Sequence, residues 1–151
     1  MKKNDKAIAW TTADQTAAIY GGELIKQAAE AAERAYAPYS GFKVGAALLL
    51  ADGVITKGCN IENASYGATV CAERVAVWSA VAAGGLSVDN PPLALAVTAT
   101  PCALCLQVLS EFAGPDMPIL LPPEEEAEIF GEPSFRILRL GELLPHPFVL
   151  E

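Results

Sequence analysis

From Glu23 to Tyr36 the apolar positions Leu24, Ile25, Ala28, Ala32 and Ala35 recur at helical spacing, which predicts an amphipathic helix. Gly21 and Gly22 leave its start open, and Pro38 and Gly41 end it. Lys43–Leu50 then reads as a strand, Asp52-Gly53 as a hairpin turn and Val54–Asn60 as the returning strand. A loop carrying Asn63 and Gly67 leads into a second helix, Val70 to Ala83, which stops at Gly84-Gly85. Leu93–Ala99 is a short apolar run, the pattern of a buried strand. Pro101 opens a third helix, Cys102–Phe112, ended by Gly114 and Pro115. Pro118–Leu121 and Phe135–Leu140 are two further strands, and a short turn at Glu142–Leu144 precedes Pro145.

Strands separated by helices are expected to pair in parallel, and the hairpin antiparallel. The fold class that follows is α/β: a three-layer α/β/α arrangement around a mixed five-stranded sheet. No linker or repeat divides the chain, so residues 1–151 are expected to form a single domain. Residues 1–11 look like a loose arm, and residues 1–20 as a whole are expected to pack loosely. The acidic patch Glu124-Glu125-Glu126 reads as a solvated loop or a helix start.

Composition narrows the function. A 151-residue chain buries roughly 70% of its unfolded surface and needs neither a disulfide nor a metal merely to fold. Hydrophobic residues make up 52% and the mean hydropathy is +0.32, which implies that some apolar surface is buried between subunits. The net charge is −8, with only ten Lys and Arg spread along the chain. That balance argues against a nucleic acid polymer or an anionic membrane as partner, and leaves a small neutral substrate open. Met1-Lys2-Lys3 is followed by too short an apolar stretch for a signal-peptide core, and no run reaches membrane-span length. A cytoplasmic location is therefore expected, and there four cysteines read as thiols, ligands or nucleophiles before disulfides.

Three of the four cysteines stand at helix starts, Cys71 at one and Cys102 and Cys105 at the other. The last two are three residues apart, on one face of a first turn. Helix N-termini carry free N–H groups and partial positive charge, which favour thiolates. Three thiolates around zinc leave a fourth tetrahedral position, the pattern of a catalytic site. Two other readings compete, a redox Cys-x-x-Cys dithiol and a set of buried inert cysteines. Cys59, within a strand, reads as a small core residue. Glu73 stands too close to Cys71 to share its coordination, yet it can face the open position and move protons there. Alone it would read as an ordinary first-turn glutamate.

These segments resemble a family. Cys71-Ala72-Glu73 followed by Pro101-Cys102-Ala103-Leu104-Cys105 is similar to the ligand pattern of zinc nucleobase deaminases. A cysteine as first ligand resembles the small free-nucleoside cytidine deaminases. Tyr36-Ala37-Pro38-Tyr39-Ser40-Gly41-Phe42-Lys43-Val44-Gly45-Ala46-Ala47 looks like that family's opening motif, and Gly58 to Gly67 like its ribose-binding strand and loop. The resemblance spans roughly residues 24–148. It implies one zinc per chain held by Cys71, Cys102 and Cys105, and Glu73 as proton shuttle. It further implies ribose contacts from Asn60 and Glu62, a base contact from Phe42 and a pyrimidine edge met by the Ala72 backbone. The activity implied is hydrolytic deamination of cytidine or 2′-deoxycytidine in pyrimidine salvage. The assembly implied is a homotetramer with shared sites, in which Tyr66 and Phe148 are the cross-subunit candidates. Leu106 stands where the family usually has Arg after the last ligand. Arg74 is then the cation expected to compensate the thiolate charge. Two rival readings are a deaminase of a modified cytosine or nucleoside antibiotic of the blasticidin S kind, and a catalytically silent zinc-binding subunit.

Overall fold

Residues Gly45–Leu50 form a strand, β1, in which every position is buried. Its side chains alternate between two cores: Ala46, Leu48 and Leu50 enter one, and Ala47 and Leu49 the other. A strand covered on both faces must lie inside a layered structure. The computed structural model describes residues 12–123 and 135–150. Within them β1 is joined by β2 (Ile55–Cys59), β3 (Pro92–Val97), β4 (Pro118–Leu121) and β5 (Arg136–Arg139), in the order β2-β1-β3-β4-β5. One face is covered by α1 (Ala13–Ala32), whose Leu24 and Ala28 pack on Ala47, Leu49, Ala94, Ala96 and Leu120. The other is covered by α2 (Ala72–Ala82), α3 (Ala103–Ser110) and the short α4 (Leu140–Leu143), with Val77, Leu109 and Leu140 packed against Leu48, Leu95 and Ile119. The three-layer α/β/α class with a mixed sheet is the observed one.

Among the five described strands, parallel pairing is confined to β3–β4 across α3. β1 pairs antiparallel with both β2 and β3, and β4 pairs antiparallel with β5. The expectation that helix-separated strands lie side by side in parallel therefore fails between β2 and β3. The hairpin partner β1 already occupies the inner edge of β2, so β3 returns beside β1 instead.

The loosely packed arm expected over residues 1–20, and the helix start at Glu23, need correction. Thr12 caps α1, and Ala13 is its first residue. Thr12 Oγ1 accepts the Gln15 N–H at 3.3 Å, and Gln15 Oε1 accepts the Thr12 N–H at 2.8 Å, a reciprocal capping box. Arg139 on β5 holds the first turn through Asp14, Nη2 to Oδ1 2.9 Å. Gly21 does not break the helix: a Cβ there would strike the Phe135 ring, so the missing side chain makes room for packing. The helix also ends earlier than Tyr36, at Ala32, and Tyr36 instead bridges to Ile61. Residues 1–11 and the patch Glu124–Glu126 lie outside the described residues.

Gly45 and Gly58 lie at one end of the sheet, each facing one partner residue beyond the other: Gly45 opposite Cys59, Gly58 opposite Ala46. A Cβ on Gly45 would strike the α1 backbone at Ala28 and Ala32. A Cβ on Gly58 would strike the α2 backbone at Ala72 and Ala76. At this end both helices therefore rest directly on strand backbone, one on each face. Thr98, just past β3, ties the same end together, its hydroxyl accepting the Gly45 N–H at 3.0 Å.

Candidate metal centre

Two helices begin at this end, and each is preceded by an extended cysteine. Cys71 (φ −72°, ψ 156°) leads into α2 and Cys102 (φ −76°, ψ 161°) into α3. Cys71 is delivered by the pairing of Ile61 with Val70, whose backbones exchange hydrogen bonds of 2.9 and 3.0 Å. Cys105 follows one turn into α3 and is buried. The three sulfurs lie within 4.8 Å of one another. Cys71 Sγ is 4.0 Å from Cys102 Sγ, which is 3.5 Å from Cys105 Sγ. Tetrahedral thiolates about 2.3 Å from zinc stand about 3.8 Å apart, so this spacing fits such an ion with one position left over. All three are free thiols.

The thiols are not equivalent. Burial alone would raise the Cys102 pKa, but the Cys105 amide and thiol, the Cys71 thiol and the Leu104 amide together bring it below the ordinary value. These amides act without a full capping bond, as partial charges at the helix start. Cys105 is pushed far up, first by burial and then by the Glu73 carboxylate. A cation among the sulfurs is what would let all three ionise together.

Glu73 stands in the first turn of α2 with only 3% of its surface exposed. Burial raises its pKa, against the pull of its own backbone amide, the Cys105 thiol and the Arg74 charge. An ordinary surface glutamate is thereby excluded. Arg74 turns the other way: its Nη2 is 3.7 Å from Cys71 Sγ and 3.5 Å from the Thr69 carbonyl. Burial opposes its charge, but hydrogen bonds to Cys71 and Cys105 outweigh that and raise its pKa. Its Nε is buried and without a hydrogen-bond partner. The guanidinium lies over Trp78, 5.7 Å from the ring centroid. Sequence reasoning missed Trp78, although its four-residue offset from Arg74 places both on one helix face.

The sugar candidates gather in a second group. Asn60 Oδ1 accepts the Val44 N–H and its Nδ2 donates to the Phe42 carbonyl, both at 2.8 Å. The Glu62 carboxylate accepts from the Ser40 hydroxyl and from the Tyr39 and Ser40 amides, the latter two at 2.8 and 3.2 Å. Those donors, the Ser40 hydroxyl and Tyr39 amide foremost, hold its pKa below the ordinary carboxylate range. Ser40 Oγ also accepts the Phe42 N–H at 3.0 Å, so Glu62 and Phe42 are linked through one hydroxyl. Sequence reasoning had not found Ser40, nor this anchoring of Asn60 and Glu62 to the 39–44 segment.

A cleft of about 390 Å³ opens between Tyr39, Ser40, Glu62, Asn63, Tyr66 and Thr69. Arg74 touches both Thr69 and Cys71, so the cleft adjoins the thiol cluster. Ala72 is fully buried; its carbonyl lies against Gly58, and its N–H is among the first-turn donors with no intrahelical acceptor. Phe148 is not drawn into the site by this chain, being 71% exposed, and Tyr66, although it lines the cleft, is 85% exposed. Cys59 corrects the core assignment. It is half-buried at the end of edge strand β2, where it lines a separate cavity of about 160 Å³ with Glu30, Arg34 and Lys57. Among the described residues no helix is long and apolar enough to cross a membrane.

Known proteins match this arrangement. A family model for the cytidine and deoxycytidylate deaminase zinc-binding region matches residues 22–121. The cytidine deaminase of Halalkalibacterium halodurans is 42% identical over 85% of this chain and 93% of that protein. The one from Sporosarcina psychrophila is 49% identical over 66% and 74%. Among solved structures, cytidine deaminase from Burkholderia pseudomallei superposes with a TM-score of 0.71 at 42% identity, covering 83% of this chain and 97% of that one.

Proposed function

The chain belongs to the cytidine and deoxycytidylate deaminase zinc-binding family, and on that premise we propose that it hydrolyses cytidine and 2′-deoxycytidine to the uracil nucleosides and ammonia. The observation that carries this reading is the buried Glu73 carboxyl beside three converging thiols. Cys71, Cys102 and Cys105 hold one zinc per chain. When bound, the ion acts as a Lewis acid and brings the pKa of a water toward ~7. Glu73 accepts a proton from the attacking water and delivers it to N3 of the base; it then takes the remaining proton of the new C4 hydroxyl and passes it to the amine, so that C4=O forms as ammonia leaves. Its raised pKa suits a group that must both take and give a proton near neutrality. Arg74 offsets the negative charge of three thiolates around a divalent ion.

The Ala72 N–H meets the pyrimidine edge, and Phe42 packs against base and sugar. Asn60 and Glu62 receive the sugar hydroxyls. Each already has bonds to the 39–44 segment, so the sugar meets groups fixed in advance. The working form is a homotetramer with shared sites, to which Tyr66 and Phe148 contribute across subunits. Their exposure, and the hydrophobic share of 52%, support that assembly. The protein acts as a single domain in the cytoplasm, in pyrimidine salvage.

The test is a substrate panel of cytidine, deoxycytidine, cytosine and N4-substituted or antibiotic nucleosides, followed by ammonia release and ultraviolet absorbance. Cytidine and deoxycytidine are turned over and free cytosine is strongly disfavoured. Glu73→Gln keeps its zinc and loses at least ~10²–10⁴ of turnover. No turnover of cytidine by the zinc-loaded protein would overturn the proposal.

A further inference from the structure

Gln107 stands on α3, two residues beyond Cys105. Its side-chain amide is fully engaged by one backbone residue. Nε2 donates to the Phe148 carbonyl and Oε1 accepts the Phe148 N–H, both at 2.8 Å. The amide thus pairs with Phe148 as a residue of an adjacent strand would. The segment so fixed follows Pro145 and Pro147. Ordering it costs conformational entropy, and apolar side chains left in water return nothing for that cost. Phe148, Val149 and Leu150 are nevertheless 71%, 72% and 84% exposed. Leu104, three residues before Gln107 on the same helix face, is also exposed. At the cleft the same chain exposes Tyr66 and, on the linked 39–44 segment, Phe42. One copy therefore carries both an aromatic rim and a held aromatic tail, the self-complementary pair that association of identical subunits needs.

We propose that Gln107 is a positioning residue, holding Phe148 in the pose in which it enters the nucleoside pocket of a second copy of this chain. The inference rests on the reading of Phe148 as a cross-subunit residue. It adds the device that makes the residue usable there. It also joins two sites mechanically: α3 follows directly from Cys102 and carries Cys105, and the tail clamped to it closes the pocket of another subunit.

The experiment compares Gln107→Met, Phe148→Ala and the double variant in the full-length zinc-loaded protein. Met keeps the length and helix propensity of Gln107 and removes both polar atoms. A freed tail lowers the fraction of pockets ready to bind, so KM for cytidine rises about tenfold while kcat stays within about twofold. Zinc remains at about one per chain. The Phe148 amide, no longer held, exchanges with solvent at least about tenfold faster, a change that a general loss of packing elsewhere does not single out. The double variant is no worse than Phe148→Ala alone, because both substitutions act on one contact. If Gln107→Met fails to fold, Gln107→Glu, which keeps the acceptor and sets a carboxylate against the Phe148 carbonyl, must give the same KM rise. An unchanged KM in either folded variant, beside a raised KM in Phe148→Ala, overturns the inference and leaves the cross-subunit reading standing. An unchanged KM in Phe148→Ala removes both.

Discussion

Gly58 on β2 and Ala72 at the start of α2 meet backbone to backbone, because Gly58 has no Cβ to hold the Ala72 carbonyl away. The turn that bears Glu73, and that follows directly from Cys71, thus takes its depth from the strand. Glycine is needed here for its size rather than its torsional freedom.

Gly58→Ala must push this turn outward or be overpacked. Overpacking of this kind costs typically about 1–3 kcal/mol, so the melting temperature falls. The Cys71 sulfur also leaves its place beside Cys102, and zinc is held less tightly. Gly114→Ala, where an added Cβ meets nothing within 4 Å, should change stability by no more than about 0.5 kcal/mol. Metal analysis and thermal melts of both variants decide the matter. Normal zinc content in Gly58→Ala would separate the glycine from the site.

The thiol spacing gives a second expectation. Metal analysis of the purified protein finds about one zinc per chain, and Cys71→Ala, Cys102→Ala and Cys105→Ala each lose it. Cys59→Ala retains it, since Cys59 opens into a different cavity. A Cys102→Ala protein with full zinc would sink this ligand set.

Arg74→Gln removes a positive charge that lowers the Glu73 pKa and hydrogen-bonds the Cys71 thiol. Loss of that charge raises the pKa of the proton-accepting carboxylate. The acidic limb of the kcat/KM profile therefore moves to higher pH, and zinc affinity falls. Adding Leu106→Arg should restore part of both if its side chain reaches the sulfurs. A pH profile and zinc affinity both unchanged in Arg74→Gln would refute the compensating role.

Ser40→Ala deletes the largest influence holding the Glu62 pKa down. The Glu62 carboxyl resonance in a pH titration should then titrate at a higher pH, closer to the ordinary carboxylate range. The sign for stability follows: a carboxylate with a depressed folded pKa stabilises the fold above its unfolded pKa and loses that contribution as pH falls. In Ser40→Ala the contribution is smaller at neutral pH, and what remains is lost at a higher pH. KM for cytidine should rise, because Glu62 and Phe42 lose their shared hydroxyl. Unaltered titration of Glu62 would show that the hydroxyl does not hold it.

The thiol cluster was legible because its information is local. Cys102 and Cys105 are one helical turn apart, and both they and Cys71 sit where the strand-to-helix pattern breaks. The extent of α1 was misread at Gly21-Gly22, since a glycine pair normally weakens a helix. Its tolerance there depends on the Phe135 ring, more than a hundred residues away, which no local pattern announces. Thr12 and Gln15 carried a readable capping box that would have placed the start correctly. The anchoring of Asn60 and Glu62 was beyond reach for another reason. It depends on the chain reversing near Gly41 (φ 68°), which brings the backbone of 39–44 across to the end of β2. Side-chain-to-backbone bonds of that range leave no periodic trace.

Cys71 and Cys102 are 31 residues apart in the chain and 4.0 Å apart at sulfur. An ion shared by them fastens a loop that contains all of α2 and β3. In the unfolded chain, a closed loop of that length gives up entropy worth roughly 3–4 kcal/mol, by analogy with a disulfide. The metal is then a removable staple between the starts of α2 and α3, at one end of the sheet. Stripping it should not only silence the site but also shorten the life of the folded chain, loosening β3 from the two strands it joins.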